Sequence, residues 1–263
     1  MATTGIPLSV NGRSSEADRQ EQVAYLDSHA PTGSGHQALF LSVHRSRFRM
    51  DDEGAEPADE TFREVRPKIL ERQKHQCYFC GHKQHGWMQV HHMNCVHDDN
   101  SPENLKVVDF MCHAVNHLWL AGKPRGKRGR GGQIIYLPGV SQTLLNRFVM
   151  GLFVVATSGS ADQVKQAGTW YSQLQRLSTP VVDIYGTDDA QKFGQMLQEL
   201  PESLYDQREN LMPGLRFLMS SESYMYQPAA VEAMAQQWRQ LFPRDAWEGI
   251  RAQVFDSAGE VRA

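Results

Sequence analysis

Residues 77–117 read CYFCGHKQHGWMQVHHMNCVHDDNSPENLKVVDFMCHAVNH, and all four cysteines of the 263-residue chain lie within them. Cys77 and Cys80 stand three positions apart, and Gly81 follows. A glycine there permits a turn tight enough for both thiolates to face one tetrahedral ion. A second pair must close such a site. Cys112 supplies one member, and Asp109 stands three positions before it, so Asp109-x-x-Cys112 has the spacing of a second knuckle with a carboxylate in place of one thiolate. The ligand set read from spacing is therefore Cys77, Cys80, Asp109 and Cys112 around Zn2+, a weaker site than one of four cysteines. Two alternatives stay open. The thiols can be a buried structural group with Asp109 exposed, or Cys95 can replace Asp109; otherwise Cys95 is a free thiol. Cysteines confined to one window, not spread as a disulfide framework, favour a reducing compartment and metal binding.

The histidines form a second pattern. His91 and His92 are adjacent at the expected end of a β-strand, and His113 and His117 are four apart, on one face of a helix. Those two imidazoles and one from the strand can hold a divalent cation, and the remaining neutral histidine can act as general base on a water. Asn104 would orient that histidine through its amide or its backbone. The plainer alternative is a set of polar core residues that pin loops. His82, His85 and His97 read as surface residues, with His97 also an alternative ligand.

The rest of the chain sets the frame. Apolar residues make up 40%, charged residues 22%, and the net charge is −3, which excludes polyanion binding by bulk electrostatics. No apolar run approaches the ~18 residues of a membrane helix; the most apolar stretch is 148–156. The N-terminus shows no basic n-region followed by an apolar stretch, so no signal peptide is expected. Residues 1–36 are expected to be a flexible tail. Residues 38–48 alternate as a strand with Leu39, Leu41 and Val43 on one face. Residues 51–60 read as a loop, and 62–75 as a helix that becomes regular near Arg66, because Pro67 is tolerated only in a first turn. Ile69 and Leu70 would face the core. Residues 122–132 hold five Lys/Arg and five Gly, a flexible basic loop. A strand follows at 133–137. Leu144, Leu145, Phe148, Leu152 and Val155 then recur at helical spacing, as do Val164, Trp170, Leu174 and Leu177, then Phe193, Met196, Leu197 and Leu200. Residues 229–242, with Val231, Met234, Trp238 and Leu241, read as a last amphipathic helix, and 181–185 is ambiguous.

The ordered set CxxC, VHH, ENL and CH with a second His four residues on resembles the HNH endonucleases over about residues 66–118. That resemblance implies an α+β fold: an HNH-like ββα-metal core with a zinc knuckle, followed by a mainly α-helical C-terminal region. It places His91, His113 and His117 on metal positions, for Mg2+ or another divalent cation, His92 on the general base and Asn104 on the central Asn. The implied division is a tail over 1–36, an HNH-like zinc-binding domain over 37–138 and a helical region over 139–263.

Four blocks carry a closer resemblance: KILERQKHQCYFCG (68–81), VHHMNCVHDDNSPENL (90–105), CHAVNHL (112–118) and GGQIIYLPGVSQTLLNRF (131–148). Over about residues 62–158 the chain resembles the IcmJ/DotN family of type IVB (Dot/Icm-like) secretion and conjugation systems. The last block matters most, since a plain HNH nuclease has no need of it. The family implies a cytoplasmic accessory subunit of a coupling complex. It would be peripheral to the inner membrane through its partners, without membrane insertion, and would use the HNH-like fold as a scaffold that docks on the coupling ATPase. The chain departs from the family at Asp109, where a Cys is usual, and in keeping the full histidine set. Three functions are therefore carried forward: a zinc-binding adaptor without catalysis, a metal-dependent HNH endonuclease acting on DNA, and a DNA-binding module that does not cleave.

Overall fold

The computed structural model describes residues 38–45, 55–127, 129–237 and 244–260. The expected tail over 1–36, the end of the strand expected over 38–48, the first part of the loop expected over 51–60, and Trp238 and Leu241 lie outside those residues.

Helix α1 (Ala55–Arg72) runs straight through Pro67. A loop was expected over 51–60 with the helix regular only from near Arg66, so this is a correction. An interior proline costs about 3 kcal/mol. The helix tolerates it because Val65, Ile69 and Leu70 bury one face against the core, each contributing roughly 1.5–3 kcal/mol. Lys74 and His75 then take left-handed φ values of 55° and 48°. Their N–H groups cap the carbonyls of Glu71 and Leu70 at 2.9 Å, which ends the helix sharply.

Strand β1 (Gln89–His92) pairs antiparallel with β2 (Leu105–Val108), with Gln89 opposite Val108 and His92 opposite Leu105. Helices α2 (Phe110–Asn116) and α3 (Leu118–Gly122) follow at once. Residues 38–45 form no strand. Their alternation does bury Leu39, Leu41 and Val43, but the segment lies across the junction of α2 and α3. Ser42 N–H donates to Val115 and the Ser42 carbonyl accepts from Leu118, each at 3.0 Å. The Tyr205 hydroxyl accepts from Val43 N–H and donates to its carbonyl. Helix ends and a phenol therefore satisfy the backbone that a sheet partner would otherwise take.

The second half begins with β3 (Gly132–Tyr136), as expected, then α4 (Gln142–Ser158), α5 (Ala161–Gln175) and α6 (Thr179–Tyr185). The ambiguous stretch 181–185 is thus helical, opened by Pro180 and ended by Gly186 at φ 72°. Then come α7 (Ala190–Glu199), α8 (Glu202–Tyr205), α9 (Arg208–Leu211), β4 (Leu215–Met219), α10 (Pro228–Gln236) and α11 (Arg244–Glu260). β3 pairs antiparallel with β4, from Gly132 opposite Met219 to Tyr136 opposite Leu215. Neither β4 nor α11 was expected. The molecule is mixed, with small two-stranded sheets and a helical majority. α4 is central: α2, α5, α10, α11 and β4 all pack on it, and the Trp247 ring of α11 stacks on Phe148 at 5.0 Å. One apolar cluster runs from Val65 and Ile69 of α1 through α4 to Val254. Among the described residues no helix is long and apolar enough to cross a membrane.

α3 and α7 cross at closest approach where each carries a glycine. A Cβ on Gly194 would come within 2.4 Å of the Trp119 backbone, and one on Gly122 within 2.1 Å of Gln191 N. Backbone cannot yield as a side chain can, so Gly194→Ala is expected to destabilise the protein by about 1–3 kcal/mol. A thermal melt checks it; an unchanged midpoint would mean that the two helices do not lock this tightly.

Candidate metal centre

The knuckle hairpin is built from backbone. Cys77 N–H donates to His82 at 2.8 Å, and Gly81, at φ 73°, donates back to Cys77 at 2.9 Å. The His82 N–H points at Cys80 Sγ, 3.4 Å away, and a bridge between Gln76 and Lys83 closes the hairpin. Tyr78 N–H donates to Val107 of β2 at 2.7 Å, which docks the hairpin beside the second pair of donors. Asp109 leaves β2 and caps α2: its Oδ1 accepts from Met111 N–H at 2.8 Å and Cys112 N–H at 2.9 Å. The cap fixes the carboxylate and leaves Oδ2 free to face the hairpin, 2.9 Å from Cys80 Sγ. Cys77, Cys80, Asp109 and Cys112 are all buried, with their donor atoms within 4.8 Å of one another. The four residues expected from spacing therefore meet. Cys95 stands apart from this group, half-buried at φ 60° and in no disulfide.

Electrostatics shows what a cation could do for this group. Burial pushes the Asp109 carboxyl up to about 7, with the Cys77 thiol beside it adding to the rise. Burial, then Cys77 and Cys80, push the Cys112 thiol well above its ordinary range. Burial opposes ionisation of Cys77 too, yet hydrogen bonds from Cys112 and Cys80 hold its thiol well below the ordinary range. Burial opposes charge on each of the four side chains. Three thiols and one carboxylate oxygen, dry and within reach of one point, fit a tetrahedral Zn2+, whose charge would let all of them ionise.

A buried polar chain ties this cluster to the second half of the molecule. Asn146 of α4 donates from Nδ2 to Cys112 Sγ at 3.6 Å. Gln142 donates to Asn146 Oδ1 and to the Phe217 carbonyl of β4, and its Oε1 accepts from Phe217 N–H at 2.8 Å. Both amides are nearly fully buried. They account for the Gln and Asn of the block at 131–148: an amide turned toward Cys112 Sγ would hold that side chain in place for a bound ion. Nothing in the local sequence pattern points to this role, because each amide meets its partner far along the chain.

The histidines also converge. His91 is buried, His113 and His117 are half-buried, and their ring nitrogens lie within 4.8 Å of one another. His117 Nε2 is 3.3 Å from His91 Nδ1. His113 Nδ1 lies 2.6 Å from Gln89 Oε1, an acceptor only, so Nδ1 carries the hydrogen and Nε2 is free to ligate. His117 is not within the regular helix but just past the end of α2, at φ −123°. His44, unread in the sequence, stacks on His97 at 4.7 Å and on His117 at 5.9 Å, and His97 lies 5.3 Å from His92. Burial holds His91 down to about 3, with His117 and His92 next in effect, and holds His117 down to about 4, with His44 and His97 next. The Asn104 side-chain amide, one of the two routes expected to orient His92, is engaged elsewhere. His92 Nε2 faces Asn100 Oδ1 at 3.1 Å, whereas the Asn104 amide accepts from Asn94 N–H and donates to the Asp99 carbonyl. Beside His91 opens a pocket of about 300 Å³, walled by Arg45, Tyr205 and Arg208 together with Glu202 and Asp206. The basic loop is partly engaged with its own chain: Lys123 lies over the Trp119 ring and Arg130 pairs with Asp188.

Among curated proteins the chain is similar to the type 4 apparatus protein DotN of Legionella pneumophila subsp. pneumophila, strain Philadelphia 1. The two are 27% identical over 175 residues, spanning 66% of this chain and 80% of that protein. No protein-family model matches the chain.

The histidine cluster makes pH a direct probe. In an unfolded chain imidazoles protonate near ~6.5, whereas in the fold His91 and His117 stay neutral down to about 3 and about 4. As pH falls below about 6.5 the unfolded chain binds protons that the folded one refuses, so stability is lost; above about 6.5 these groups contribute no slope. A cation on the same nitrogens would act in the same direction. The melting temperature of purified protein is expected to drop from pH 7 to pH 5, and less steeply in a His91→Gln/His117→Gln variant. Equal slopes would contradict the buried neutral cluster.

Proposed function

The chain belongs to the IcmJ/DotN family, and from that premise we propose that it is a zinc-stabilised adaptor subunit of a type IVB secretion or conjugation coupling complex. The observation that carries this reading is the similarity to a type 4 apparatus protein over two-thirds of the chain. The polar chain Cys112–Asn146–Gln142–Phe217 supports it, because it ties the metal cluster to the block that a plain nuclease would not need. On this reading the order β1, β2, α2 is an HNH-like ββα unit used as a scaffold. Zn2+ on Cys77, Cys80, Asp109 and Cys112 supplies structural cross-linking, not chemistry. The partners are the coupling ATPase and its associated proteins, and the location is cytoplasmic, held at the inner membrane through them.

One observation favours a second reading, a metal-dependent HNH endonuclease acting on DNA: His91, His113 and His117 meet beside His92. With His92 Nε2 turned to Asn100, Nδ1 would be the basic nitrogen, and Arg45 and Arg208 would face the phosphate from the neighbouring pocket. Two features weigh against it. Glu202 and Asp206 line the same pocket and would repel a phosphate. An all-imidazole set also suits a transition ion better than Mg2+, which prefers oxygen donors and keeps its waters.

Co-purification with fragments of a type IV coupling ATPase tests the adaptor. Binding is expected from wild type and equally from His92→Ala; no binding to any fragment would refute it. Plasmid nicking with Mn2+ or Zn2+ tests the nuclease, and cleavage by wild type that His92→Ala loses would promote that reading. Cys80→Ser should lower the melting temperature by at least about 5 °C, since structural zinc contributes several kcal/mol. An unchanged melt would remove the structural zinc.

A further inference from the structure

A third group of ligand side chains lies outside both clusters, where the end of α1 meets the knuckle hairpin. Glu71 stands in the last turn of α1, His75 on the turn that ends it, and His85 just beyond the hairpin closed by Gln76 and Lys83. Their ligand atoms lie within 4.8 Å of one another. We propose that Glu71, His75 and His85 form a surface site for one zinc-class divalent cation, which staples the end of α1 to the knuckle hairpin. This site stands independently of the adaptor and nuclease readings.

The geometry matches such an ion. Ligands about 2.0–2.1 Å from a tetrahedral zinc stand roughly 3.3–3.4 Å apart. His75 Nε2 lies 3.0 Å and His85 Nε2 4.0 Å from the same oxygen, Glu71 Oε1, so modest side-chain rotation brings both to ligand spacing. The nitrogen of His75 that faces the group is settled, because its Nδ1 is buried against the protein. His75 is the fixed ligand, with 14% of its side chain exposed, and it is held by a left-handed backbone at φ 48°. A non-glycine residue in that conformation is held there by its surroundings. Glu71 and His85 are 74% and 82% exposed and can adjust.

An ion pair between Glu71 and His75 accounts for two of the three side chains but not the third. His85, although largely exposed, folds back on the group: its ring lies 4.2 Å from that of His75, and its Nε2 turns to the shared carboxylate. Two imidazoles and one carboxylate favour Zn2+, Co2+ or Ni2+ over Mg2+ or Ca2+. Three protein ligands leave further positions to water.

The test is a zinc titration of the purified full chain at micromolar free metal, read by metal content, for wild type, His85→Ala, Glu71→Gln and His113→Ala. Wild type is expected to bind one equivalent more than His85→Ala and than Glu71→Gln, whereas His113→Ala keeps that equivalent. Cobalt loaded into the site should give only weak visible bands, without the intense near-ultraviolet thiolate-to-metal absorption of the cysteine cluster, and His85→Ala should lose those bands. His85 is exposed, so its variant should fold normally. Equal stoichiometry in all four proteins overturns the proposal. So does an equivalent that vanishes only in His113→Ala, or occupancy only at millimolar zinc, which would mark an adventitious ion only.

Discussion

Three thiols and a carboxyl buried within 4.8 Å of one another cannot all ionise unless something neutralises them, and cannot all stay neutral without losing their capacity to cross-link. That constraint organises the structure around it. The knuckle turn, the β1–β2 hairpin and the start of α2 each contribute a donor or the backbone that positions one, and none of them is long enough to carry a core alone. Asp109 shows how tightly the demands are coupled: one carboxylate oxygen satisfies two N–H groups at the start of α2, and the other faces Cys80. A cysteine there would supply a better zinc ligand and a poorer helix cap.

The cluster also reaches into the helical half. Asn146 and Gln142 carry hydrogen bonding from Cys112 to the backbone of β4, so the cysteine cluster and the sheet formed by β3 and β4 share one buried polar chain. An apolar cluster also spans both halves.

What could be read from the sequence follows from contact range. Cys77 with Cys80, Asp109 with Cys112, and His113 with His117 are close in sequence, so spacing alone places each pair on one turn or one helix. His91 could be added because a strand end beside a helix is a small set of geometries. Asn146, His44 and Asn100 were beyond reach. Asn146 meets Cys112 across 34 positions, His44 lies on a segment whose backbone is satisfied by helix ends and Tyr205, and Asn100 faces His92 from within an irregular loop. The misplaced start of α1 has a different cause: a sound local rule about Pro67 was overridden by the burial of Val65, Ile69 and Leu70. β4 escaped notice because five residues with Arg216 at the second position carry no signal until β3 pairs with them.

The central claim is that one zinc ion is held by Cys77, Cys80, Asp109 and Cys112. X-ray absorption at the zinc edge of the purified protein, with His113→Ala and His85→Ala combined to remove the other candidate ligand groups, tests it most directly. The account predicts three sulfur neighbours at about 2.3 Å and one oxygen at about 2.0 Å, with the sulfur count falling by one in Cys112→Ser. A folded protein with no zinc, or zinc surrounded only by nitrogen and oxygen, would contradict it.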